Sequence, residues 1–175
     1  MKKVALITGA ARGIGLASAK IFQENGYQVL ILDRDESALN ASAAEFSDAY
    51  PMLFDVSDPQ AGDVIAKEIM DKFGRLDSLV NNAGVASFEP IEKINNETWH
   101  QVMATNLDGV FYLTQAVTPI LKQTKGAIVN ISSISGIYGA ATQLAYSSAK
   151  AAVVGMTKTL AREWGRYHVT VNCVA

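Results

Sequence analysis

A short apolar run that breaks at once into closely spaced glycines restricts this chain to few folds. Lys3-Val4-Ala5-Leu6-Ile7 reads as a buried strand, and Thr8-Gly9-Ala10-Ala11-Arg12-Gly13-Ile14-Gly15 follows it directly. Leu16 to Asn25 then reads as a helix, with Ile14, Ala17, Ile21 and Phe22 on its apolar face. Glycines let the backbone turn tightly between the two elements. The helix then points unpaired N–H groups and the positive end of its dipole at whatever lies beyond the strand. A pyrophosphate suits that position, which makes Gly9, Arg12, Gly13, Ile14 and Gly15 candidate binding residues. The spacing is G-x-x-x-G-x-G rather than G-x-G-x-x-G. A glycine-rich turn with no ligand is the alternative reading.

Asp33 narrows that choice. Val29-Leu30-Ile31-Leu32 is a second apolar run, and Asp33 ends it, roughly 20 residues past the loop, where a carboxylate meets an adenosine ribose. A carboxylate there repels a 2′-phosphate and argues for NAD over NADP. Arg12 and Arg34 argue weakly the other way, since either reaches a phosphate, and a solvated surface charge is the plainer reading of Arg34.

Strand and helix patterns alternate along the rest of the chain. Glu36 to Ala44 reads as a helix, and Met52-Leu53-Phe54 as a third strand ending in Asp55-Val56. Ser57 or Asp58 caps a helix that takes Pro59 in its first turn and runs to about Phe73. Leu76 to Val80 is a fourth strand, followed by Asn81-Asn82-Ala83-Gly84. A helix capped at Asn95-Asn96 runs past Asn106 toward Pro119, which should kink or end it. Ala127 to Ile131 is a fifth strand with Ser132-Ser133 at its end. A helix then runs to about Trp164, and Val169 to Val174 is a sixth strand. This alternation predicts an α/β fold, one parallel sheet with helices on both faces, and no internal linker. In such sheets ligands lie outside the carboxyl ends of the strands. Gly9 to Gly15, Asp33, Asp55, Asn82 and Ser133 all follow strand ends. Each alone is explained by loop capping; their joint placement is not.

Bulk properties remove other classes. The length fits one α/β domain. Fifteen Lys and Arg against seventeen Asp and Glu, with no basic cluster, imply no nucleic-acid partner. One cysteine excludes an internal disulfide and a cysteine zinc site, and Cys173 reads as a buried, inert thiol. His100 and His168 lack a metal-ligand spacing and read as structural or exposed, so no metal is expected. No apolar run is long enough to span a membrane and no signal peptide is visible, so a cytoplasmic protein is expected.

Tyr146 and Lys150 supply the chemistry. Their spacing of four in Ala145-Tyr146-Ser147-Ser148-Ala149-Lys150 puts phenol and ammonium on one helix face. A nearby ammonium favours a phenolate, which suits a general acid/base for carbonyl–alcohol interconversion.

Together these residues resemble the short-chain dehydrogenase/reductase family over essentially the whole chain. The resemblance rests on Thr8-Gly9-x-x-x-Gly13-x-Gly15, Asp55-Val56, Asn81-Asn82-Ala83-Gly84, Asn106, Ser133 and Tyr146-x-x-x-Lys150. It implies a three-layer Rossmann fold, a doubly wound parallel sheet in the order 3-2-1-4-5-6, and a nicotinamide cofactor, NAD with NADP possible. It also implies a tetrad of Asn106, Ser133, Tyr146 and Lys150. Ser133 rather than Ser132 takes the family role, because that serine stands thirteen residues before the tyrosine. Tyr146 would pass the proton and Ser133 would hold the reacting oxygen. Tyr146 and Lys150 would also bind the cofactor, Lys150 at the nicotinamide ribose, and Asn106 would hold a relay water. Asp55 and Val56 would contact adenine, and Asn82, Ala83 and Gly84 the adenosine ribose. Asp55 as a helix cap, and Asn106 as a solvent-facing or bent-helix residue, are the alternative readings.

The chain stops near the sixth strand, so residues 1–175 are expected to form a single nucleotide-binding domain shortened at its C-terminus, without the family's seventh strand. The family implies a small alcohol or carbonyl substrate and a homo-oligomer, dimer or tetramer. A 3-oxoacyl-acyl-carrier-protein reductase is one alternative, with Asp33 counting against it because those reductases usually prefer NADPH. A non-catalytic cofactor-binding module is the other.

Overall fold

The computed structural model describes all residues, Met1–Ala175. Six parallel strands form one sheet in the order β3-β2-β1-β4-β5-β6. They are β1 (Val4–Thr8), β2 (Gln28–Asp33), β3 (Ala49–Leu53), β4 (Ser78–Asn81), β5 (Ala127–Ile131) and β6 (Thr170–Val174). The helices are α1 (Gly13–Glu24), α2 (Glu36–Ala43), α3 (Ala61–Phe73), α4 (Asn96–Met103), α5 (Gly109–Thr124), α6 (Ser135–Tyr138) and α7 (Leu144–Trp164). This is the expected doubly wound α/β fold, with the expected strand order.

Side chains that alternate along each strand feed two cores, one on either face of the sheet. Val4, Leu6, Leu30 and Leu32 join a cluster of nineteen buried residues. Ala5, Ile7, Val29 and Ile31 join a second cluster of eight. Both faces of β1 and β2 are therefore buried, which is why these strands read as continuous apolar runs. Losing one such side chain, as in Leu30→Ala, costs about 2–5 kcal/mol.

Five local expectations need correcting. On α1, Ile14 and Ile21 are 65% and 59% exposed and Ala17 is exposed; the buried residues are Gly15 and Ala19, with Phe22 partly covered. Gly15 faces inward because a Cβ there would stand 2.2 Å from Gly9 O. β3 begins at Ala49 and carries Pro51, which an edge strand tolerates because one side of its backbone has no ladder to donate to. Asp58 accepts from Gln60 N–H at 2.9 Å in a turn that precedes α3, so neither Ser57 nor Asp58 caps that helix. Pro119 lies inside α5 and does not end it; the helical run is broken instead by a π-turn at Ala104–Asp108. Cys173 is half-buried rather than buried. His100 and His168 are both exposed.

Candidate active site

The carboxyl ends of β1 to β4 open onto a cleft of about 410 Å³. It lies beside the β1–β4 boundary, where the strand order reverses and ligand crevices form. Gly9 and Arg12 wall it after β1, Leu32, Asp33 and Arg34 at β2, and Phe54, Asp55 and Val56 after β3. Asn82 to Val85 line it after β4, and Thr105 reaches it from the π-turn.

The glycine loop is held from three sides. Ala10 N–H donates to Leu32 O at 3.1 Å, and Ala11 N–H donates to an Asp33 carboxylate oxygen at 3.2 Å. The Asn82 amide donates to Thr8 O at 2.9 Å and Gly9 O at 3.1 Å. Gly9 has φ 62°, and a Cβ on Gly15 would stand 2.2 Å from Gly9 O. Gly15 is thus a packing requirement of the loop, with the helix turned in tight beneath it. Behind the loop, Thr8 Oγ1 accepts from the N–H groups of Asn82 and Ala83, both at 3.0 Å. Thr8 is a structural residue of the site that pattern reading passed over, although it opens the glycine motif.

The N-terminus of α1 has no capping side chain and no acidic residue in its first turn. The first N–H groups of such a helix lack an intrahelical partner, as an anion site requires. The cradle, the Asp33 carboxylate and the apolar Val56 fit a dinucleotide. Gly13, Ile14 and Gly15 belong to this helix start and lie outside the cleft wall.

The two arginines on the cleft wall are each paired with a carboxylate. Arg12 pairs with Asp35, which also caps α2 by accepting from Ala38 N–H at 3.0 Å. The Ala38 N–H and Arg12 hold the Asp35 carboxyl below its usual range. Arg34 donates to Asp55 at 3.2 Å. The other Asp55 oxygen accepts from Ser57 N–H at 2.9 Å and Ser57 O–H at 2.7 Å. Burial pushes Asp55 up, but Ser57 and Arg34 outweigh it and leave its carboxyl below the usual range.

The second half of the site lies at the ends of β4 and β5. Lys150 is 4% exposed, and its Nζ donates to Ile131 O at 2.6 Å. Its ammonium lies 5.7 Å from the Tyr146 ring centre, so the two side chains share one face of α7. Burial pulls the Lys150 ammonium below the usual lysine range, partly opposed by Cys173. Asn106 sits fully buried in the π-turn, exchanging two hydrogen bonds with the Val85 backbone, 2.8 Å from its N–H and 2.7 Å to its O. Its side chain is therefore spent on holding the loop that leads out of Asn81-Asn82-Ala83-Gly84.

The two serines divide their work. Ser132 is buried and donates to Lys150 O at 2.9 Å, tying β5 to α7. Ser133 accepts from Ser135 N–H at 3.2 Å and keeps its own hydroxyl hydrogen free to donate outward. The short helix α6, which the sequence did not suggest, supplies that N–H.

Gly84 joins the two halves. A Cβ at Gly84 would stand 3.0 Å from Asn106 Oδ1 and 3.7 Å from Lys150 Nζ. The bare backbone there brings the cleft floor against the lysine. Below it a polar chain crosses the core: the Asn81 amide donates to Thr114 and to Asn130, and Asn130 donates to Thr157. Asn81 and Asn130 are register partners in β4 and β5. A matched asparagine at the end of each apolar strand was the signal for this network.

Comparison with known proteins agrees with this geometry. The short chain dehydrogenase family profile matches residues 3–175. The chain is 40% identical over 178 residues to a 3-oxoacyl-acyl-carrier-protein reductase of Thermotoga maritima, covering 99% of this chain and 72% of that one. It is 44% identical over 178 residues to subunit BbsD of a hydroxy(phenyl)methylsuccinyl-CoA dehydrogenase from Thauera aromatica, covering 99% and 71%. The crystal structure of a short-chain dehydrogenase from Streptomyces avermitilis superposes with TM-score 0.94 at 32% identity, covering 99% of this chain and 64% of that one. The chain thus spans under two thirds of the length of that solved relative.

Proposed function

This chain belongs to the short-chain dehydrogenase family of oxidoreductases, and on that premise we propose that it moves a hydride between a nicotinamide cofactor and a substrate that interconverts alcohol and carbonyl. The observation that carries this reading is the meeting at Gly84 of the cleft at the strand ends and a buried lysine that shares a helix face with Tyr146.

A nicotinamide cofactor bound here would supply or accept the hydride. The remaining work falls to this chain. Tyr146 gives its phenolic proton to the carbonyl oxygen, or takes one from the alcohol. Ser133 donates its free hydroxyl hydrogen to the same oxygen and stabilises the charge developing there. Lys150, anchored on Ile131 O, sets a positive charge beside the phenol, and its remaining N–H bonds would hold the nicotinamide ribose hydroxyls. Asn106 fixes Val85, and its water contact would come from its main chain, since its side chain is occupied.

The cofactor contacts follow the same reading. Gly9, Arg12, Gly13, Ile14 and Gly15 take the pyrophosphate. Asp33 takes the adenosine ribose, with Asn82, Ala83 and Gly84 lining it. Asp55 and Val56 meet the adenine. Asp33 favours NAD over NADP. No helix is long and apolar enough to cross a membrane. A cytoplasmic homo-oligomer built from single nucleotide-binding domains completes the proposal. The groove between α5 and α7, lined by Phe111, Met156, Leu160 and Trp164, is the surface that would pair.

A 3-oxoacyl thioester is the second substrate reading, favoured by the 3-oxoacyl reductase name of the Thermotoga relative. The test is a hydride-transfer assay that follows reduced cofactor, with secondary alcohols, polyols and 3-oxoacyl thioesters as separate panels. Turnover that disappears in Tyr146→Phe supports the proposal. Turnover that survives in Tyr146→Phe removes the assigned proton donor. Cofactor binding with no turnover on any panel would favour a non-catalytic binding module.

A further inference from the structure

Resting on the cofactor reading above, we propose that Asp55 is a specificity-determining residue that excludes a 2′-phosphate by holding Arg34.

Asp33 carries the repulsion expected to reject a 2′-phosphate, yet a guanidinium follows it immediately in the chain. A free Arg34 would neutralise that rejection, because guanidinium pairs with phosphate through two parallel hydrogen bonds. In the structure Arg34 is not free. It reaches along the cleft wall to one oxygen of Asp55 at 3.2 Å, with half of its side chain still exposed. Asp55 is itself held, since its other oxygen takes both the N–H and the O–H of Ser57. The second nearby cation, Arg12, is likewise occupied by Asp35. Each arginine at the ribose end thus has its own carboxylate, which leaves the Asp33 charge uncompensated. The ion pair also spans the cleft wall from β2 to the turn after β3, where the two strands already run in register at Asp33 and Leu53.

The pair is partly exposed, so its hold is modest and the effect should be a bias rather than a switch. Pairs of this kind shift an equilibrium by up to about fivefold. Calorimetric titration with NAD⁺ and with NADP⁺ reads the ratio of the two dissociation constants without requiring turnover. Asp55→Asn is expected to weaken both cofactors through the lost adenine contact, while moving the ratio toward NADP⁺ by up to about fivefold. Adding Arg34→Ala to Asp55→Asn should return the ratio to its starting value. Arg34→Ala alone, in an otherwise unchanged chain, should leave the ratio where it was; this arm decides the matter if Asp55→Asn fails to fold. An unmoved ratio in folded Asp55→Asn, a shift that survives loss of Arg34, or a selective loss of NADP⁺ binding in Arg34→Ala would each overturn the inference. Failure of the unaltered chain to bind either cofactor would instead overturn the cofactor reading itself, and this inference with it.

Discussion

The Lys150 ammonium donates to the Ile131 carbonyl across 2.6 Å, so a side chain on α7 is pinned to the last residue of β5. That one bond fixes the height of the lysine over the sheet and hence its place beside Tyr146 and Gly84. Burial lowers the pKa of Lys150. A rate that needs the charged lysine should therefore fall at alkaline pH, with its limb below the usual lysine value of about 10.4. The pH profile of kcat should lose this limb in Lys150→Met. A limb at or above the ordinary lysine value would contradict the assignment.

Tyr146→Phe removes only the hydroxyl group. The rate of hydride transfer should fall by about 10²–10⁴-fold, the range for a general acid/base. Cofactor affinity by calorimetry should stay within a few-fold. An equal loss of binding and rate would point to a packing role.

The two neighbouring serines should separate cleanly. Ser133→Ala should lower kcat by a comparable margin and leave the melting temperature nearly unchanged, since its accepted bond from Ser135 lies at the sheet edge. Ser132→Ala should do the reverse. It deletes a buried hydrogen bond to Lys150 O and should cost about 1 kcal/mol of stability. Thermal melts and steady-state kinetics on both variants distinguish the two outcomes.

Asp77 lies far from the cleft and ties the starts of two strands. It accepts from Val4 N–H at 2.8 Å and from Arg75 through two bonds of 2.9 and 2.6 Å. Burial raises its pKa, but Arg75 and Val4 outweigh that and leave it lowered. A lowered carboxylate pKa contributes stability above the unfolded value of about 3.9, lost as pH falls through the folded value. Asp77→Asn should therefore cost about 2 kcal/mol near neutral pH. The gap to the unaltered chain should close as the pH drops below the usual carboxylate range. Urea midpoints measured across pH give the curve, and a gap independent of pH would exclude the charge as its source.

Much of this architecture was legible in the sequence, for reasons visible in particular residues. β1 and β2 are buried on both faces, so their apolar runs stand out, and Gly9 and Gly13 mark the turn between β1 and α1. Because every strand runs parallel, strand-end residues such as Asp33, Asp55 and Asn82 had to gather at one edge. Features decided by tertiary contact were not readable. The apolar face of α1 differs from the periodic one because Ile14 and Ile21 look like core residues, while the side that turns inward carries Gly15, pressed against Gly9 O, and Ala19. The π-turn around Asn106 leaves no mark in hydrophobic period, since Asn106 is held by Val85 from a different segment. Pro119 sits inside α5, where it would ordinarily break a helix. The partner of Arg34 depends on two strand ends lying side by side, which no local pattern encodes.

The most direct test of the account is a calorimetric titration of the chain with NAD⁺ and, separately, NADP⁺, repeated on Asp33→Ala. NAD⁺ should bind more tightly, and that preference should shrink or vanish when Asp33 is removed. Tighter binding of NADP⁺, or a folded chain that binds neither, would contradict it.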